Sequence, residues 1–357
     1  MGEATMSEPI GVPDFDIRVN GKRIPADARA AIVGISVHDD LDVLSMFALT
    51  LVNWDQRAMR VTWSDSDLFT IGNEVAVALG YRDDLTSVIL GEITGLEPDF
   101  TADGPPTITV RGYDHQHRLS RGRKTRTFAR MTDSDIAQLI ARGAGLRAET
   151  ADTGAVLDYV VQNNQTDLDF LRRRAQSIGY RLFAREKVLH FQPPGHAQPP
   201  SAVLTVGSDI SAFTARLSSM DQVGEVTVRG WDPETKDAVV GTARAGEELT
   251  VMGGTVSGPS RASRVFDPAT TVVLDDLASP PADVRTRALG QLNDLALGYV
   301  HAEAECAGNP RLSAGTVVEI KGAGETFSGA YYVSSVAHSV STDHGYRTDL
   351  DLRRNAT

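Results

Sequence analysis

At 357 residues with a net charge of −12, the chain has room for two or three domains and is too acidic for a general nucleic-acid binder, which needs a basic face. Hydrophobic residues at 41% and charged residues at 23% exclude a disordered or collagen-like chain, and a lone cysteine, Cys306, excludes a disulfide scaffold or a cysteine-rich zinc module. No apolar run approaches ~18 residues, so no transmembrane helix is expected, and Met1 to Pro13 lacks the basic and apolar regions of a signal peptide.

In chain order, the pattern predicts strands at both ends and helices between them. Residues 14–20 alternate, with Phe15, Ile17 and Val19 on one face, and Asn20-Gly21 is a strong hairpin signal. Strands are expected at 32–37, 46–52, 74–81, 87–96 and 107–112, short and spaced by Gly, Asp and Asn as in an antiparallel barrel or sandwich. After Leu119 the period changes. Ile136, Leu139 and Ile140 predict a helix over 132–142, capped by Thr132 or Asp133 and ended by Gly143 or Gly145. Leu168, Leu171, Ala175 and Ile178 predict a second over 166–180, from an N-cap at Thr166 to Gly179. Residues 181–184 and 188–191 read as a hairpin, and the proline-rich 193–200 as a linker. From about 210 the β pattern returns, notably at 225–230. Residues 236–280 look irregular, 282–297 helical and 312–353 strand-rich.

The two β regions look like copies. Gly72 to Gly80 and Gly315 to Gly322 each frame an alternating strand with glycines. Gly91 and Gly329 open the next strand, and each copy closes on an alternating strand ending in arginine, at 107–111 and 348–353. A unit used twice predicts two related barrels. The expected fold class is therefore mainly β with α+β insertions: two related antiparallel β-barrels, a helical domain and an irregular insertion. The division predicted is a flexible N-terminus at 1–13, a first barrel at 14–118, an α+β domain at 119–200, a second barrel from 201–235 and 300–357, and an insertion at 236–299 with its helix near 282–297.

No catalytic constellation is found: no GxSxG elbow, no P-loop, no HExxH helix. His115 and His117 would point the same way on a strand, as metal ligands or, more simply, as surface polar residues. His338 and His344 are expected to flank a turn. The pairs Asp39-Asp40, Asp83-Asp84 and Asp275-Asp276 read as solvated loop residues, and Cys306 as a packing residue. The basic run 118–130 differs in kind, with six basic residues and no acid. It reads as a solvated loop between domains, as a docking or interdomain clamp whose arginines pair with carboxylates of a neighbouring subunit, or as a nucleic-acid contact, which the acidic remainder and the lack of interleaved aromatics weaken. The candidate interface residues are Arg118, Arg121, Arg123, Lys124 and Arg126; no catalytic, cofactor-binding or metal-binding residue is nominated.

Three stretches carry a resemblance: 111–128 (RGYDHQHRLSRGRKTRTF), 161–191 with its TDLDFLRRRAQSIGY helix and hairpin, and 308–354 with G-N-P, F-S-G-x-Y and Y-x-T in order. Together they resemble the phage late control D family, which includes the baseplate hub of contractile tails and the hub-like N-terminal part of type VI valine–glycine repeat spike proteins. The chain stops at Thr357 without a following oligonucleotide-type barrel or β-helix needle, so it looks like a hub made apart from its spike.

The resemblance implies a structural, non-enzymatic protein. It would be a homotrimer whose two barrels per chain give pseudo-sixfold symmetry, adapting a hexameric inner tube to a trimeric spike. The implied partners are that spike, the tube protein and other baseplate subunits, with no cofactor, no direct nucleic-acid contact and no membrane insertion. The implied location is a phage tail or injection particle assembled in the bacterial cytoplasm. Two other readings stay open: an all-β carbohydrate-binding protein or hydrolase with helical insertions, and the hub of a non-contractile tail. Aromatics at only 6%, with Trp54, Trp63 and Trp231 spread along the chain, nominate no sugar-binding platform.

Overall fold

The computed structural model describes residues 11–82, 84–102, 104–232, 235–274 and 281–357. The expectations for residues 1–10, Asp83 and the pair Asp275-Asp276 lie outside them. The chain opens with β1 (Pro13–Val19), β2 (Lys22–Arg23) and a short helix, α1 (Ala26–Ala31). It continues with β3 (Ile32–Asp40), β4 (Met46–Val52), the small pair β5 (Trp54–Asp55) and β6 (Arg60–Val61), then β7 (Glu74–Tyr81), β8 (Asp84–Asp99) and β9 (Thr107–Asp114). A middle section holds β10 (Lys124–Met131), α2 (Asp133–Gly143), β11 (Arg147–Thr150), β12 (Leu157–Gln165), α3 (Asp167–Ser177), β13 (Arg181–Arg185) and β14 (Val188–Gln192). After β15 (Ala202–Thr205) and β16 (Ile210–Leu217) come β17 (Glu225–Asp232), β18 (Asp237–Arg244), α4 (Gly258–Val265), β19 (Thr270–Leu274) and α5 (Pro281–Leu297). The chain ends with β20 (Val300–Ala307), β21 (Val317–Lys321), β22 (Gly329–Ser341) and β23 (Gly345–Arg354).

The fold is mainly antiparallel β, dominated by one 13-stranded sheet that contains strands from both ends of the chain. Its path has an internal echo. In the first part, strands pair in the order β1-β7-β8-β9-β4-β3. In the last part they pair in the order β15-β21-β22-β23-β20-β16. Chain order matches element by element, and two irregularities match as well, while the slip of β8 against β7 between Val77 and Ala78 has no counterpart between β21 and β22. The ladder slips between Ile93 and Gly95 of β8 and between Val333 and Ser335 of β22. It slips again between Ile32 and Gly34 of β3 and between Ile210 and Ala212 of β16. A bulge re-aims every later side chain on its strand, so matched bulges set matched registers. One difference is the outer strand: β1 runs antiparallel to β7, whereas β15 runs parallel to β21. The two parts meet where β22 pairs with β3, from Ser335↔Asp40 to Ser341↔Gly34.

Side-chain alternation explains which face of each strand is buried. Val37, Leu49, Val110 and Val77 point into a core with Phe47 and Phe69, while Leu350, Leu352, Ala304 and Val336 point into a second with Tyr331. The middle section has its own core, in which Ile136, Ile140, Leu168, Leu171 and Phe191 meet. Its helices start as the sequence predicts. Thr132 and Asp135 form a reciprocal capping box on α2, and the Thr166 hydroxyl accepts from the Asp169 N–H on α3. A fourth core packs Val226, Val228 and Ala243 under Val284, Ala288 and Leu292 of α5.

Several local expectations change. The basic run is not a loop: residues 124–131 form β10, paired with β12, with Arg126 and Phe128 turned to the same side. His115 and His117 lie in a 3-10 turn spanning His115–Ser120, started by the Asp114 carboxylate, and not on a strand. His338 sits within β22 and not beside a turn. The strand at 225–230 joins β18 and β19 in a separate three-stranded sheet. Residues 236–280 contain α4, where Ser257 is the N-cap and Pro259 fills the first turn, a position that needs no N–H donor.

Candidate functional site

The basic junction is built from charge pairs that tie sections of the chain together. Arg118 lies within the 3-10 turn and reaches back to β8, where its Nε donates to Glu92 at 2.9 Å and its Nη2 donates to the other Glu92 oxygen. Its Nη1 donates to the Ala144 carbonyl just past α2 at 3.3 Å. His117 approaches the same carboxylate at 2.6 Å. Arg118 holds the Glu92 carboxyl down at about 2, against the opposing cost of burial. Farther along, Lys124 Nζ and Arg126 Nη2 donate to Asp167 at 2.6 and 2.5 Å, and Gln162 bridges Arg126 and Asp167. Asp167 opens α3, so the helix dipole favours its negative charge as well. Arg123 donates to the Asn164 carbonyl at 2.8 Å, and Arg121 is exposed. Of the five candidates, Arg118, Lys124 and Arg126 therefore meet carboxylates of this same chain. The run's charge gave notice of acidic partners, but no sequence signal nominated Glu92; an acid in the first turn of α3 could have pointed to Asp167.

Beside this junction lies a cleft of about 460 Å³ lined from three sections, by residues 86–90, by 184–186 with Val188 and His190, and by 310–313, together with Asp39, Asp114 and His338. Ser45 sits between the half-buried carboxylate of Asp39 and the buried one of Asp114: its hydroxyl donates to Asp39 and its N–H to Asp114, each at 3.3 Å. Asp39 also accepts from the Ala314 N–H at 2.9 Å, and Asp114 from the Gln116 backbone and side chain. Burial pushes the Asp114 carboxyl up to about 6 and raises Asp39 as well. These acids spend their oxygens on the backbone of neighbouring sections, which suits a joint better than proton transfer to a substrate. His338 Nδ1 lies 3.1 Å from both the Tyr346 and the Thr348 hydroxyl, and burial pushes it down to about 4, so it stays neutral. His115 is fully buried at the other side, 3.4 Å from Glu74, and burial lowers it too. Cys306 is buried, with its thiol pushed up to about 12 by that burial, and is inert as a nucleophile.

The third feature is the open face of the large sheet. One row across the strands reads Thr214, Glu303, Asp351, Ser335, Asp40. The next reads Ala212, Glu305, Asp349, Ala337, His38, Met46, Tyr113, and a third Arg347, Ser339, Ser36, Ala48, Arg111. The face is continuous across both parts of the sheet, with small residues at its centre. Glu303 faces Asp351 and Glu305 faces Asp349, like-charge pairs that oppose pairing. His301 at 3.0 Å from Asp351 and Arg347 at 2.7 Å from Glu305 offset part of that repulsion. Among the described residues, no group of His, Cys, Asp or Glu is placed to hold a metal ion, and no helix is long and apolar enough to cross a membrane.

The Alg8 N-terminal domain family model matches residues 10–342. The chain belongs to the Alg8 N-terminal domain family. No curated protein matches it in sequence. This family member is similar in structure to the 43 kDa tail protein of prophage MuSo2 from Shewanella oneidensis, with a TM-score of 0.71 at 15% identity over 96% of this chain and 98% of that one. It is similarly close to a tail protein from Neisseria meningitidis MC58, with a TM-score of 0.70 at 16% identity over 96% and 97% of the two chains. An Escherichia coli component of the type VI secretion system, itself described as similar to the T4 tail proteins gp27 and gp5, matches with a TM-score of 0.58 at 13% identity over 95% and 77%. The fold of this Alg8 N-terminal domain is thus that of phage tail and type VI secretion proteins, in line with the resemblance read from the motifs.

Proposed function

We propose that the chain is the structural baseplate hub of a contractile injection apparatus, a trimer that joins a sixfold tube to a threefold spike. The observation that carries this reading is the repeated strand order with its matched bulges. Three chains with two like units each present six similar units in a ring, which is what a threefold-to-sixfold adaptor requires. The units are two barrels, formed from residues 14–118 and from the strands of 201–218 with 300–357. The α+β section 119–200 and the insertion, which takes in β17 through α5, sit outside the ring. The open polar face lines its channel, where the centre is small, Glu303, Glu305, Asp349 and Asp351 are acidic, and Arg111 and Arg347 are each paired with a glutamate, so little basic surface is left to retain a passing acidic chain. The partners are a separate spike, the inner tube and other baseplate subunits, and assembly takes place in the bacterial cytoplasm.

The protein is a scaffold and not an enzyme on this account: the acids of its cleft tie sections together, and its thiol is inert. The likeness to tail and secretion proteins supports the scaffold reading over an all-β hydrolase. A hub of a non-contractile tail would share the fold, and sheath and spike genes beside this one separate the two. The test is the solution mass of the chain, alone and mixed with the adjacent spike protein. A trimer, or a 3:3 complex with the spike, supports the hub. A monomer that ignores both spike and tube proteins overturns it.

A further inference from the structure

We infer that a second copy of this chain docks by strand addition along the outer edge of β16, which pairs antiparallel with the far half of β8 of its neighbour. The inference rests on the trimeric ring proposed above and names the joint that closes it. Both edges are open. β16 ends the sheet path, and residues Ser211, Ala212, Thr214 and Arg216 are exposed. On β8, the pairing with β7 stops at Glu74↔Glu92, so from Gly95 onward only the β9 side has a strand partner among the described residues.

The joint already exists once inside the chain. β22 pairs with β21 over its first residues and, past its bulge, with β3 on that same side. β8 is the counterpart of β22 and β16 the counterpart of β3, so the same joint can form between β8 and a neighbour's β16. The matched bulges fix its register. Ser335 corresponds to Gly95, because each follows the slip on its strand, and Gly34 corresponds to Ala212 for the same reason. Within the chain, Ala337 faces His38, Val336 faces Asp39 and Val340 faces Ile35. Carried over, Glu97 faces Arg216 of the next copy, Leu96 faces Leu217 and Phe100 faces Phe213.

Those pairs are chemically matched: an acid with a base, an aliphatic with an aliphatic, an aromatic with an aromatic. They also account for apolar side chains left in solvent at both edges, since Phe100 is 63% exposed and Leu217 37%. Val340 and Ile35, the counterparts of Phe100 and Phe213, pack on the core beneath the internal joint. Pro98 falls opposite Ala215 and withholds at most one ladder hydrogen bond. The contact is heterologous, edge to a different edge, so it builds a ring when the rotation closes.

Disulfide trapping tests the joint. Directly opposed residues on antiparallel strands lie within bridging distance, and the native thiol, Cys306, is buried and does not compete. The full-length Glu97→Cys/Arg216→Cys chain is oxidised at its highest soluble concentration, with and without the spike protein. The expected product on a non-reducing gel is a covalent trimer of the 38.3 kDa chain, absent from either single-cysteine variant. An equal mixture of the two single variants should stop at a covalent dimer. A second variant reads the same contact without a bridge: Arg216→Glu should abolish the trimer in light scattering, and adding Glu97→Arg should restore it. A trimer by mass with no cross-link and no response to charge reversal overturns this joint and leaves the ring standing. A chain that stays monomeric and unlinked even with the spike overturns both.

Discussion

The pairing of Arg118 with Glu92 is the contact on which the basic junction turns, and replacing Arg118 by Met tests it. The substitution keeps much of the side chain's apolar stem and removes the guanidinium. Glu92 is held at about 2 against an ordinary 4.5, roughly two and a half pH units, or ~3 kcal/mol at ~1.4 kcal/mol per unit. That figure is an upper bound, because the Arg118 side chain is 37% exposed and solvent screens the pair. His117 also remains at 2.6 Å. The expected loss is therefore ~1–2 kcal/mol at pH 7. The sign with pH follows from the depressed carboxyl: its contribution is full above the ordinary value of 4.5 and is lost as pH falls through about 2. Urea unfolding of both proteins from pH 7 down to pH 3 reads the difference. The gap should hold steady to about pH 5 and narrow below it. Equal stability at pH 7, or a gap that does not narrow in acid, refutes the reasoning.

Three further outcomes are expected. Arg174→Met leaves the buried Asp133 carboxylate without its two guanidinium bonds of 2.6 and 2.8 Å and should cost ~3–5 kcal/mol in urea unfolding. Asp114→Asn removes a carboxyl that burial has raised to about 6. The native protein should therefore lose stability as pH rises from about 4 through 6, by up to ~3 kcal/mol, and thermal melts at pH 5 and pH 8 should show that slope flattened in the variant. Gly290→Ala drives a methyl onto the Gly179 backbone, with N at 2.5 Å, so α5 must move off the end of α3; a lower melting temperature, by the equivalent of ~1–3 kcal/mol, is expected, and an unchanged one contradicts the contact.

Strands and helices with a clear period were legible in the sequence, as were the ends that carry a cap. Thr132 and Thr166 announced α2 and α3, and the alternation of 74–81 and 107–112 announced β7 and β9. The sequence suggested a repeat through glycine-bounded strands, but Gly80 and Gly91 lie inside β7 and β8 where Gly329 opens β22, and the matched bulges were not legible, because one inserted residue leaves no compositional mark. β10 was hidden by its charge: Arg126 and Lys124 look solvated until Asp167, distant in sequence, is brought beneath them. α4 was hidden by Ser-Gly-Pro, which reads as a turn unless the serine is taken as a cap and the proline as a first-turn residue. His115 looked like a surface group, and burial against Glu74 depended on how the middle section folds back. Asp39 was read with Asp40 as a solvated loop residue, yet it lies on β3 and accepts from Ala314, and Glu92 and Asp114 did not stand out among 47 acidic residues, since what distinguishes all three is a neighbour supplied by tertiary structure.

Electron microscopy of the purified chain with its spike, averaged down the particle axis, tests the central claim most directly. The account predicts a closed ring of three chains showing six similar lobes, with threefold density outside them from the α+β section and the insertion. A ring with one lobe per chain, or particles that never exceed a single chain, would contradict it.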